Sequence, residues 1–238
     1  MVLFKPKAIR IVVIGFIFLI SLFFLNLIPE KPILAESLSS SGDEQIFPKD
    51  DSVNDLSFME FKLNLLKAIA KKDAEYIYSV ITPNIKLSFG GQDGLTGMEV
   101  LWELKTNPES KFWPVLERII KLGCVSKETS SGKWFWAPYT YAQFNGEPYQ
   151  SLIVTGNSVN LRAKPDLKAK VLRKLDYAVV QIANPVKYNP PTPWIQVQTP
   201  SGQTGYIASQ YLISPLDYRA AFTKIDGAWK MVFLVNGD

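Results

Sequence analysis

The sequence predicts an α+β fold in which a small all-β barrel interrupts a larger helix-and-sheet domain. Three observations carry this expectation. Apolar residues recur at helical spacing between 57 and 122. Short alternating apolar segments, separated by turn residues, fill 151–214. The chain then runs past the last barrel segment into a hairpin that is apolar on both faces. A strand of that kind belongs in the middle of a sheet, and a small barrel has no room for it.

The N-terminus comes first. Lys5, Lys7 and Arg10 precede a charge-free apolar run over 11–28. Basic residues before such a run keep the N-terminus inside and send the remainder across a membrane. The run is long for a secretory signal and long enough for a spanning helix. Ala35 offers a cleavage position. Residues 1–35 therefore read as a signal peptide or a membrane anchor. The rest reads as exported to the cell envelope, on its periplasmic or extracellular face, and held at the membrane by 11–28 if uncleaved. Residues 36–55 are polar, without apolar period, and read as a flexible linker.

Ser57 followed by Glu60 has the form of a capping box, and Phe58, Phe61, Leu65, Leu66 and Ile69 continue it as an amphipathic helix over 58–70. Asp73 can cap a second, short helix carrying Tyr76, Ile77 and Val80. "IKLSF" reads as a strand and "GGQDGLTG" as a loop. "MEVLWEL" and "FWPVLERIIKL" are helical again. The aromatic run "KWFWAPYTYAQF" reads as β. After the barrel, Asp226-Gly227 signals a hairpin turn, and 229–235 is apolar on both faces. Residues 56–150 and 215–238 are thus expected to build one domain around the insert.

Within 151–214 the expected strands are 158–162, 171–172, 178–183, 194–198 and 205–208. "VNLRAKP", "VLRKL", "WIQV" and "GYIASQYL" occur in that order. This pattern resembles the bacterial SH3-type (SH3b) domain. Val159, Asn160, Leu161, Arg162, Pro165, Trp194, Gly205, Tyr206, Tyr211 and Leu212 fall on it. Lys164 stands where the family favours glycine. The resemblance implies an SH3-like barrel that binds or positions cell-wall glycopeptide or an envelope protein. The remainder more loosely resembles the cone-shaped α+β fold of nuclear-transport-factor-like proteins, some of which are enzymes using Asp and Arg.

Composition narrows the chemistry. The chain has no histidine and a single cysteine, Cys124, in an apolar context. Ser-His-Asp and Cys-His catalysis and thiol-imidazole zinc sites are excluded, and no internal disulfide can form. No catalytic residue, cofactor or metal site is expected. The glycine-rich loop lacks a P-loop lysine; Asp93, Glu99 and Glu103 are carboxylates near it, and Asp93 between glycines reads as a turn residue rather than a base. Of 26 basic and 22 acidic residues, four basic and one acidic fall in 1–35, leaving 22 against 21. Whole-chain basicity is therefore no sign of nucleic acid, which is not an expected partner. The barrel alone carries seven basic residues against Asp166 and Asp176. Lys164, Lys168 and Lys170 cluster in one loop, either as a solvated face or as a contact for an acidic ligand. With Arg162 and the rings of Tyr177, Tyr188, Trp194, Tyr206 and Tyr211 they form the candidate binding set. The reading is a non-catalytic envelope protein; the alternative is a hydrolase or isomerase with its site in the α+β domain.

Overall fold

The computed structural model describes residues 44–185 and 192–237. The targeting segment, residues 36–43 of the polar segment, and Tyr188 with Pro190 and Pro191 lie outside them. Among the described residues no helix is long and apolar enough to cross a membrane.

Helix α1 (Leu56–Lys71) begins one turn of logic earlier than the capping box implies. Its cap is Asp55, whose carboxylate accepts the Phe58 N–H at 3.1 Å, while Ser57 Oγ donates to that same carboxylate at 2.7 Å. An aspartate two residues upstream outcompetes the serine because it is charged and stands at the helix's positive end. Helix α2 (Ala74–Val80) is capped by Asp73, as expected. Strand β1 (Ile81–Lys86) starts before the expected "IKLSF" segment and stops inside it. The Asp93 carboxylate captures the N–H groups of Leu87 and Ser88, which ends the strand. Helices α3 (Gly94–Trp102) and α4 (Phe112–Lys121) follow, then β2 (Val125–Thr129) and β3 (Gly132–Ala137). The aromatic run does not stay β. Pro138 cannot donate to a ladder, and a short helix α5 (Tyr139–Gln143) follows it.

The barrel strands are β4 (Ser151–Val154), β5 (Val159–Arg162), β6 (Val171–Leu175), β7 (Val179–Ile182), β8 (Trp194–Gln198), β9 (Thr204–Ala208) and β10 (Leu212–Ile213). Five were expected; β4 and β10 are additional and pair with each other at one edge. The chain then returns as β11 (Arg219–Ile225) and β12 (Ala228–Val235), joined at Asp226-Gly227 with φ of 50° and 79°. Positive φ at both central positions is what a tight primed hairpin turn requires.

Two sheets result. The first has the order β1-β12-β11-β3-β2; the second has the order β10-β4-β7-β8-β9-β5-β6. The fold is α+β, with the helix-plus-sheet domain completed by the C-terminal hairpin and the SH3-like barrel inserted. The hairpin supplies the centre of the first sheet: β12 runs parallel to β1, and β11 lies antiparallel to β3. One face of that sheet is closed by α1 and α4. There Phe58 stacks on Phe135 with centroids 3.6 Å apart, and Phe222, Trp229 and Met231 pack into the same core. The other face of β12 is only partly covered, where a fully two-sided burial was expected.

The segment expected as linker is structured where it is described. Ile46 N–H donates to Tyr177 O at 2.9 Å and Val179 N–H to Glu44 O at 2.7 Å, so 44–46 runs beside the barrel. Ile46 is buried with Val125, Tyr139, Ile153, Val179 and Ile213 in a cluster shared by both sheets. The adjacent pair Ile46-Phe47 in a mostly polar stretch was the available signal. Asp50 and Asp51 then bond to Cys124 N–H and Ser126 N–H, tying the segment to β2.

Candidate functional site

The outward face of the barrel is set by alternation. In β5, Val159 and Leu161 point inward, which sends Asn160 and Arg162 out. In β8 and β9 the same rule turns Trp194 and Tyr206 outward. Arg162 lies opposite Tyr206, and Trp194 opposite Ala208. A pocket of about 180 Å3 opens between them, walled by Asn160, Arg162, Leu167, Trp194 and Tyr211. The small Ala208 opposite Trp194 leaves the space. Gly205 keeps β9 tight on β5: a Cβ there would lie 2.8 Å from the Leu161 side chain and 2.9 Å from Arg162 O.

Residues 157–213 match the bacterial SH3 domain family. No curated protein and no solved structure matches the chain. None of these comparisons supports the expected likeness of the larger domain to the nuclear-transport-factor-like cone.

Several groups shape the SH3 pocket. Arg162 Nη1 donates to Ala169 O at 2.9 Å, which folds the basic loop back over β5. Asp166 Oδ1 accepts the Lys168 N–H at 2.7 Å and tightens the same loop. Lys164, Lys168 and Lys170 are exposed on it, and among the described residues no carboxylate lies within salt-bridge distance of them. Leu167, 73% exposed, stands between them at the pocket rim. Asn160 stands in the pocket wall, and its buried Oδ1 has no hydrogen-bond partner among the described residues.

The expected set thus divides. Arg162, Trp194 and Tyr211 share the pocket, and Tyr206 flanks it on the same face. Lys164, Lys168 and Lys170 are not in its lining; they lie on the loop that contributes Leu167. Tyr177 does not belong: it has φ of 51°, and its ring packs on Phe47 at 5.7 Å, beside the 44–47 segment. Tyr188 lies outside the described residues. Leu167 and Ser158 were missed, although Leu167, a lone apolar residue in a lysine loop, was a visible signal.

The α+β domain has a wider groove of about 920 Å3 lined by Lys72, Glu75, Tyr78, Leu95, Leu104 and Lys105. Tyr78 OH donates to Glu99 at 2.5 Å, and Lys105 Nζ sits 4.7 Å from the Tyr78 ring centre. Burial and the Glu99 carboxylate hold the Tyr78 phenol above its usual range. Asp93 is engaged by Lys86 Nζ at 2.6 Å; this ion pair, with bonds from the Leu87 and Ser88 N–H groups, keeps its carboxyl below the usual range.

Proposed function

We propose that this is a non-catalytic envelope protein whose SH3 domain binds or positions cell-wall glycopeptide, with an envelope protein as the other partner class. The observation that carries this is the pocket: Arg162, Trp194 and Tyr211 converge beside a loop whose lysines pair with no carboxylate among the described residues, with the Asn160 amide in the wall. Apolar rings, an acceptor and cations suit a short, partly acidic peptide. Bacterial SH3 domains commonly bind peptidoglycan or proteins and typically occur in extracellular or envelope proteins. The leader of basic residues and a long apolar run supports export, with 11–28 as an anchor if it is retained.

In the enzyme alternative, catalysis would use the groove beside Tyr78. Two of the carboxylates named from sequence argue against it. Asp93 is neutralised by Lys86 and backbone N–H groups, and Glu99 is occupied by Tyr78. A general base needs a free lone pair facing substrate. Co-sedimentation of the full chain with purified peptidoglycan sacculi tests the binding reading.

A further inference from the structure

The face of the first sheet turned away from the helices is lined with rings. Phe135 points into the core, so its neighbours Trp134 and Trp136 point the other way. Their rings lie nearly parallel, with centroids 6.0 Å apart and planes 17° apart. Trp136 meets Phe233 at 5.6 Å across the small Ala221, and Tyr141 at 5.7 Å. Phe233 continues to Phe89 at 6.4 Å. None of these five rings joins a hydrophobic core cluster; Phe89 is 53% exposed and the other four are partly buried. A contiguous aromatic surface outside the core calls for a ligand.

Its charge is positive. Lys127 lies opposite Trp134 and is exposed at the β2 edge. Behind the rings is Arg219, 4% exposed, its guanidinium 5.0 Å from the Tyr141 ring and 5.6 Å from the Phe89 ring. Arg219 bonds to the carbonyls of Leu216 and Gly237, and among the described residues no carboxylate pairs with it. A buried cation that no carboxylate among the described residues pairs with leaves a positive field at the ring surface.

We propose that this face is a second binding surface, separate from the SH3 pocket, and that its ligand is an anionic polysaccharide. The C–H faces of a pyranose are apolar and weakly positive, the surface that the negative face of an aromatic ring attracts. Acidic groups along the polymer meet Lys127 and the field of Arg219. The cations are too few for nucleic acid, which carries a charge at every nucleotide. Lys230 is bonded to Ser79 O, and Lys86 to Asp93. A sparsely charged glycan lying along the ring row matches that balance.

The test is calorimetric titration of the full chain with hyaluronate, which carries a carboxylate on every second sugar, with neutral dextran and oligo(dT) beside it. Hyaluronate should bind in a saturable way, and dextran and oligo(dT) more weakly. Trp136→Ala should weaken binding roughly tenfold, the scale of one lost ring contact. Lys127→Glu, at an exposed strand position that leaves the fold intact, should weaken it severalfold, whereas Lys67→Glu, exposed on α1, should not change it. The proposal is overturned if hyaluronate gives no saturable binding, if folded Lys127→Glu binds as well as wild type, or if dextran or oligo(dT) binds as tightly.

Discussion

Trp229 donates its indole N–H to Ser57 Oγ at 3.0 Å, joining residues 172 positions apart. One belongs to the last strand and the other to the first turn of the first helix. The whole SH3 domain lies between them in sequence. The two ends of the chain therefore build a single core, and the insert leaves and returns without contributing a strand to that sheet.

Removing 216–238 deletes both central strands of that sheet. The truncated chain should lose the near-ultraviolet signal of its core tryptophans and the cooperative melting of its helices. Trp229→Ala, in a side chain only 8% exposed, should cost about 3–5 kcal/mol by chemical denaturation. Trp229→Phe should cost less, because it keeps most of the volume and loses one hydrogen bond, worth about 1 kcal/mol.

Asp55 makes the fold acid-sensitive. Burial opposes its charge. Hydrogen bonds from Ser57, the Phe58 N–H and Lys133 outweigh burial and pull its carboxyl down to about 2. A carboxyl depressed in the folded state contributes stability above its unfolded value, and that stability is lost as pH falls through the folded one. Wild type should therefore lose stability between about pH 4 and pH 2. Asp55→Ala should cost about 1 kcal/mol at neutral pH and show a shallower acid limb, read from urea midpoints across pH.

Cys124 should be inert in the folded protein. It is fully buried, and burial pushes its thiol up to about 12. Labelling by a thiol reagent should stay negligible in buffer and rise with the unfolding transition in denaturant. Rapid labelling of the native chain would contradict the packing around α4 and β2.

Periodicity made α1, α2 and α4 legible, and the two-faced hairpin correctly placed β12 at a sheet centre. The strand blocks of the SH3 domain were legible because alternation and turn residues coincide there. What sequence missed was decided by single side chains acting at a distance. Asp93 ends β1 early, Asp55 displaces Ser57 as cap, and Ile46 draws a polar stretch onto the barrel. None of these leaves a periodic trace. The candidate site was half legible: outward alternation gave Arg162, Trp194 and Tyr206, but loop folding decides the rest. That folding brought in Leu167, and the backbone turn at Tyr177 removed that ring.

Trp194→Ala should weaken ligand binding at every salt concentration, because a ring contact is not screened. Trp194 is half-buried and its neighbour Ile195 is in the barrel core, so far-ultraviolet dichroism must first show the barrel intact. Arg162→Lys, which leaves no planar fork to hold Ala169 O, should loosen the basic loop and weaken binding without unfolding the domain.

The central claim is that the SH3 domain's pocket and its lysine loop hold the protein on the wall. Co-sedimentation of the full chain with purified peptidoglycan sacculi across a salt series tests it most directly. Exposed charges are screened over about 8 Å at physiological salt, so the loop should act mainly when salt is low. Wild type should pellet with sacculi. Changing Lys164, Lys168 and Lys170 together to Glu should weaken pelleting about tenfold at low salt and little at high salt. If wild type stays in the supernatant at low salt, or the triple variant pellets equally well there, the claim is wrong.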